Sequence, residues 1–186
     1  MNIEIAVQAT PNPNTLKFIV NQLLLDSGSI DFQNAEQAQG SPLAEKLFSI
    51  SNVSGVYVGI NFVSVTKTDS SSWAELSEPV VNCLKEIISS GIKLISDTVL
   101  VSSHNIASGS ENEIEEKIKA ILDREIRPAV AMDGGDITFH SYENGIVTLQ
   151  LRGACSSCPS STMTLKMGVE NRLKEMIPEV KEVVQL

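Results

Sequence analysis

Four interruptions punctuate the second half of the chain and leave little choice in how it folds: Gly134-Gly135, Asn144-Gly145, Cys155-Ser156-Ser157-Cys158-Pro159 and Pro178. Asn-Gly between two β-prone runs is the strongest short hairpin signal, because both residues tolerate the positive φ of a tight turn. Residues 136–142 and 146–152 therefore read as an antiparallel pair. Ahead of them, Ser110-Glu111-Asn112-Glu113 has the form of a capping box. Ile114, Ile118, Ile121, Leu122 and Ile126 then recur at helical spacing until Pro128, which closes the helix. Gly134-Gly135 frees the backbone for a tight turn into the first strand. Behind the cysteines, residues 160–177 read as a helix burying Leu165, Val169, Leu173 and Met176. Pro178 stops that helix, and residues 180–186 read as a last strand, giving the order αββαβ.

The first half is also mixed. Residues 3–7 and 16–20 read as strands. Between them Thr10-Pro11-Asn12-Pro13-Asn14-Thr15 is held to an extended or turning path by two prolines. Residues 26–40 are polar and irregular. Ser41 caps a helix with Pro42 at its first position and Leu43, Leu47 and Ile50 along one face, and Gly55 ends that region. Residues 56–60 and 62–66 form a hairpin around Gly59 and Asn61. A helix follows over about residues 77–90. Pro79 is tolerable only in its first turn, so residues 73–76 are expected to turn separately, and Gly91 suits the stop. Residues 92–101 suit a strand, and residues 102–110 are small and polar. The expectation is an α+β protein of two small α/β-sandwich domains, residues 1–91 and 111–186, joined by a linker at 92–110. No internal repeat relates the halves.

Composition narrows the function. Aromatics are only 4% of the 186 residues, so the cores are expected to be built mainly from Val, Ile and Leu. The formal net charge is −9, both halves are acidic, and no basic stripe with interleaved aromatics occurs. Nucleic acid and anionic membrane surfaces are disfavoured as partners. No stretch is long and apolar enough to span a bilayer. Three cysteines do not make a paired disulfide framework. Met1-Asn2-Ile3-Glu4-Ile5 has neither the basic region nor the apolar run of a signal peptide. The expected compartment is a reducing one, the cytoplasm or a mitochondrial matrix after removal of a transit peptide. There a CxxC is redox-active or metal-binding.

Cys155 and Cys158 can aim two sulfurs at one centre from a loop between strand and helix. Pro159 fits the first helical position and so places Cys158 at the N-cap, where backbone N–H groups and the helix dipole favour thiolate. Arg152 adds positive charge, and Gly153 and Ala154 are small enough to admit a bulky inorganic group. Three chemistries compete. Tetrahedral zinc needs four ligands, an iron–sulfur cluster usually needs four cysteines, and a thiol–disulfide site needs two. Cys83 lies among Val80, Leu84, Ile87 and Ile88 at helical spacing and reads as a core residue. His140 shares a strand face with Thr138 and Tyr142 and reads as an ordinary, partly exposed histidine, and His104 lies in the polar linker. Met163, Met167 and Met176 read as core or flank of the last helix, and Asp133 and Asp136 as turn formers. No paired carboxylates, Ser/His/Asp set or phosphate-binding glycine loop demands catalysis. If the centre is metallic, two identical chains giving two thiolates each would complete it, and removing the metal would weaken the dimer.

The run Gly153-Ala154-Cys155-Ser156-Ser157-Cys158-Pro159-Ser160-Ser161, continued by Thr164-Leu165-Lys166 and Ile177-Pro178-Glu179-Val180, closely resembles the C-terminal domain of NifU-like (Nfu) proteins. Arg127-Pro128 and Asp133-Gly134-Gly135-Asp136-Ile137 match the same domain upstream. The first half resembles the Nfu N-terminal domain through Thr10-Pro11-Asn12-Pro13-Asn14-Thr15-Leu16-Lys17-Phe18, Ser41-Pro42-Leu43-Ala44 and Val65-Thr66-Lys67. Residues 92–110 match no motif. The resemblance implies an iron–sulfur scaffold or carrier, not an enzyme, with Cys155 and Cys158 as ligands to a cluster, typically [4Fe–4S], shared by two subunits. It also implies a cluster-dependent homodimer, upstream cluster-assembly proteins as partners, and apo iron–sulfur proteins of aconitase-like or lipoyl-synthase-like kind as acceptors. A thiol–disulfide oxidoreductase and a structural zinc dimer are the alternatives. The order αββαβ is not thioredoxin-like, and no aromatic precedes Cys155.

Overall fold

Alternating apolar residues lay down an antiparallel sheet in the first half. A computed structural model describes residues 3–96, 113–156 and 159–186, with the backbone alone over 159–165. Strands β1 (Ile5–Ala9), β2 (Thr15–Val20), β3 (Ile30–Phe32), β4 (Val53–Val58) and β5 (Phe62–Lys67) form one sheet in the order β1-β2-β5-β4-β3. Successive side chains take opposite faces. Phe18, Val20, Val56, Val58, Val63 and Val65 make one face, and they pack with Leu43 and Leu47 of α1 (Pro42–Phe48) and Val80 and Leu84 of α2 (Trp73–Ser89). On the other face Lys17 stands opposite Ser64, Ser64 opposite Tyr57, and Tyr57 opposite Asp31. Directly opposed residues share a face, so these four form a single row across β2, β5, β4 and β3.

Several expectations hold here and several fail. Ser41 caps α1, its Oγ accepting from the Ala44 N–H at 3.2 Å, and β4 and β5 make the hairpin at Gly59. The first strand runs two residues later than its alternation suggests. Gly55 ends nothing; it lies within β4, where the register with β5 shifts. Pro79 does not split α2. The Ser72 Oγ accepts from the Ala74 N–H, the Trp73 ring packs 6.3 Å from that of Phe18, and its Nε1 donates to the Pro13 carbonyl at 3.2 Å. These anchors offset the hydrogen bond that proline removes. Residues 92–96 are no strand. They fold back over α1, with Leu43 N–H donating to Leu94 O at 3.2 Å and Ile95 buried in the first core. The remainder of the expected strand and the Ser110–Asn112 part of the capping box lie outside the described residues.

In the second half a helical run covers α3 (Glu113–Ile121), a π-helical turn (Leu122–Ile126) and α4 (Arg127–Met132). Pro128 therefore does not close the helix. The Arg127 N–H reaches back five residues to Leu122 O, and this wider turn brings the residue without an N–H to the start of a fresh segment, where its donor is not needed. β6 (Gly135–Glu143) and β7 (Ile146–Gly153) pair through Asn144 and Gly145 at φ 54° and 91°. α5 (Pro159–Met176) crosses to β8 (Glu182–Gln185), which pairs parallel to β7. The order αββαβ holds, and the fold is α+β. A second core joins Ile118, Leu122 and Val130 to Ile137, Leu149 and Leu151 of the sheet and to Val169, Leu173 and Ile177. Met176 is 45% exposed, not buried. The buried stripe steps from Val169 to Leu173 to Ile177, and Met176, the last residue of the helix, lies about 60° from Leu173 at the edge of that stripe.

Candidate metal centre

β7 ends at Gly153, whose φ of 63° turns the chain out of the sheet. The next residues are tied down at once: the Ala154 N–H donates to Gly134 O at 3.2 Å, and the Ser156 N–H and Oγ reach Gly153 O at 3.2 and 2.9 Å. Cys155 is thus carried inward, 3% exposed, with its side chain in the second core. Gly135 makes the room. A Cβ there would stand 2.7 Å from Cys155 Sγ and 2.7 Å from Arg152 O. Gly153 is matched to Gly134 in the same way, since a Cβ on it would meet Gly134 O and the Tyr57 ring at 2.8 Å each. Two glycine turns, 134–135 and 153–154, interlock around the first cysteine.

Cys158 lies outside the described residues, as does His104. Cys83 is 8% exposed in the first core, and burial pushes its thiol above the usual range. It does not share a core with Cys155. Arg152 directs its guanidinium to Gln150 Oε1 at 3.0 Å. His140 is exposed where the β6–β7 register shifts, and Asp133 is exposed at the end of α4. Met167 is exposed on α5, and the side chain of Met163 is outside the described residues.

Asp136 is more than a turn former. It is 4% exposed and receives Arg127 Nε and Nη2 at 2.8 and 2.9 Å, the Ile137 N–H at 2.8 Å and Ser29 Oγ at 2.9 Å. Arg127 also grips Asp123 at 2.8 Å. A two-pronged guanidinium–carboxylate pair fixes orientation as well as charge, so α4 is locked to the strand that begins beside Cys155. Spacing does not reveal this, because nine residues and a turn separate the partners. The hint in the sequence is an arginine seven residues before Gly134 and an aspartate just after Gly135.

The first sheet meets this region with its second face. Lys17 Nζ donates to Ala131 O at 2.7 Å and Met132 O at 3.4 Å, at the carbonyl end of α4, while lying 4.3 Å from the Phe62 ring centroid. Ser64 Oγ donates to Gly134 O at 2.6 Å, Asn12 Nδ2 to Ala154 O at 3.0 Å, and Gly153 N–H to Asp31 Oδ1 at 3.4 Å. Burial pushes the Lys17 amine down and the Asp31 carboxyl and Tyr57 phenol up. An open cleft of about 290 Å³ beside this contact is lined by Asp31, Gln33, Tyr57, Thr66, Gly153 and Ser156, among others.

Residues 118–184 match the family described as NifU-like domain, and residues 5–91 match the one described as scaffold protein Nfu/NifU N terminal. NifU-like protein 4, mitochondrial, of Arabidopsis thaliana is 43% identical over 97% of this chain and 65% of its own length. The NFU1 iron-sulfur cluster scaffold homolog, mitochondrial, of Homo sapiens is 40% identical over 98% of this chain and 71% of its own length. The chain thus spans just under two thirds of the plant relative and slightly more of the human one. Among solved structures, that of a NifU-like protein from Saccharomyces cerevisiae covers 52% of this chain and 91% of its own, at 26% identity and a TM-score of 0.47.

Proposed function

The chain belongs to the NifU-like (Nfu) family of iron–sulfur scaffold proteins, and from that premise we propose that it carries an iron–sulfur cluster as cargo and hands it to apo-proteins. Cys155 and Cys158 are its ligands, and residues 111–186 form the cluster-binding domain, which follows an N-terminal domain at 1–91 whose core Leu94 and Ile95 also join. The observation that supports this best is the setting of Cys155. Its sulfur lies against Gly135, where no side chain stands, on the inner side of the turn between β7 and α5.

Thiolate arithmetic gives the assembly. Cys83 belongs to the other core, so each chain offers two thiolates where a cluster usually takes four. Two chains complete the set for a [4Fe–4S] cluster, and cluster and dimer then stand or fall together. Such a centre, held by two chains at their mutual surface, can exchange its ligands one at a time for an acceptor's cysteines. The role is that of a carrier, with no bond of an organic substrate made or broken. Upstream assembly proteins supply the cluster, and apo iron–sulfur proteins accept it. The relatives are named mitochondrial, which supports a mitochondrial matrix for this chain in a eukaryote; in a bacterium the proposed compartment is the cytoplasm.

Anaerobic reconstitution with iron and sulfide tests the reading. The wild-type chain should gain a brown chromophore, Cys155→Ser and Cys158→Ser should lose it, and Cys83→Ser should keep it. A colourless protein that retains zinc would overturn the proposal.

A further inference from the structure

The motif Thr10-Pro11-Asn12-Pro13-Asn14-Thr15 belongs to the half of the chain that bears no ligand, yet it reaches the ligand loop. Thr10 Oγ1 donates to Asn12 O and Thr15 O at 3.0 and 2.9 Å, and the Asn14 N–H donates to Asn12 Oδ1 at 3.0 Å. Two prolines and these bonds hold Asn12, 2% exposed, with its amide nitrogen aimed at the carbonyl immediately before Cys155. The row Lys17–Ser64–Tyr57–Asp31 continues the same contact across four strands. In order, its members meet the end of α4, Gly134, the face of Gly153 and the Gly153 N–H. Both glycine turns around Cys155 are gripped from one side.

We propose that the first sheet is a clamp on the ligand loop, closed while Cys155 faces its own core and released when a cluster binds. A cysteine that is 3% exposed, with its side chain in its own core, cannot share its sulfur with a second subunit as it stands. Sharing requires the segment after Gly153 to turn outward. That movement cannot occur while Asn12 holds Ala154 O and Ser64 holds Gly134 O, because Gly134 O also accepts from the Ala154 N–H. The clamp and the bridging cluster select different loop positions, so each must weaken the other by the same factor. The ligandless half of the chain thereby protects the apo thiol and reports loading by letting go. The release half of this inference rests on Cys155 being a cluster ligand; the clamp itself does not.

The test begins on the apo, reduced, full-length chain carrying Cys83→Ser and Cys158→Ser, so that Cys155 is the one thiol. Alkylation by iodoacetamide is followed by intact mass. Asn12→Asp keeps an oxygen for the Asn14 N–H but sets a carboxylate oxygen against Ala154 O in place of a donor. A purely local turn role would survive that change, whereas a clamp would not. Loss of a buried hydrogen bond that gates opening should raise the alkylation rate roughly tenfold. Lys17→Met, which keeps the apolar stem and loses the bonds to Ala131 and Met132, should raise it too and serves if circular dichroism shows Asn12→Asp unfolded. Rates within twofold of the parent in a folded variant overturn the clamp. On the wild-type chain, acetylation of Lys17, read by peptide mass, should be roughly tenfold faster after cluster loading. Equal protection of Lys17 in loaded and apo protein overturns the release. A chain that takes up no cluster fails the carrier proposal, while the alkylation result still decides the clamp.

Discussion

Replacing Gly135 by alanine adds one methyl directly against Cys155. Its carbon would lie 2.7 Å from Arg152 O, 2.7 Å from Cys155 Sγ and 3.1 Å from Cys155 Cβ. Gly135 has no positive φ, so the cost is steric and not conformational. The sulfur alone could yield by rotating. The Arg152 carbonyl cannot, because it is backbone of β7 in register with β6. Overpacking of this kind costs roughly 1–3 kcal/mol, and the backbone contact places Gly135 in the upper part of that range. Alanine also narrows the unfolded ensemble, returning about 0.4–1 kcal/mol. A net loss of about 2 kcal/mol lowers Tm by roughly 8–16 °C in a cooperative unit of under 100 residues. Gly168→Ala is the control: nothing lies within 4 Å of its Cβ on an exposed face of α5, so helix propensity should stabilise the chain by about 1 kcal/mol. Thermal denaturation of the apo, reduced protein followed by circular dichroism measures both. A Gly135→Ala chain melting within 2 degrees or so of wild type, or melting no lower than Gly168→Ala, refutes the steric account of the Cys155 cradle.

Arg127→Ala leaves the buried Asp136 carboxylate without its guanidinium and should cost about 2–4 kcal/mol in urea unfolding, below the full penalty for a buried pair because Arg127 is partly exposed. Arg127→Lys should fall between, since a point charge cannot replace the two-pronged contact. Arg172 and Arg124 hold the Glu125 carboxyl down at about 2, and Arg172 thereby ties the π-helical turn to α5. A carboxyl held lower in the folded than in the unfolded chain stabilises above the ordinary carboxylate range. That contribution fades as pH falls from there toward 2. Arg172→Gln should therefore move the acid-unfolding midpoint to higher pH, and an unchanged midpoint would show the pair to be inert. Cluster removal by a chelator should shift the loaded protein from dimer toward monomer on sizing, whereas one elution position for both states would contradict a bridging cluster.

The sequence speaks most clearly where one residue fixes one torsion. Asn144-Gly145 announces its turn because few residues accept two positive φ values in succession, and Ser41-Pro42 announces a helix start because the cap and the missing donor act locally. Pro79 and Pro128 mislead for the complementary reason. Each carries a local penalty of about 3 kcal/mol, and distant partners outweigh it: Phe18 and Pro13 for the first, a widened turn for the second. β3 escapes notice because its three residues, Ile30, Asp31 and Phe32, are too few to establish an alternation and form a strand only by pairing with β4. At the centre itself, the CxxC spacing puts two sulfurs on one loop but says nothing of direction. The inward turn of Cys155 is set by Gly135, twenty residues earlier in the chain. The row Lys17–Ser64–Tyr57–Asp31 is illegible for a similar reason, since it exists only once four strands are in register.

Iron, acid-labile sulfide and molar mass measured together on one anaerobically reconstituted sample bear most directly on the half-site claim. The expected result is about four iron and four sulfide per two chains, on a particle of twice the chain mass. A chain-mass particle carrying a whole cluster, or no iron uptake at all, would contradict it.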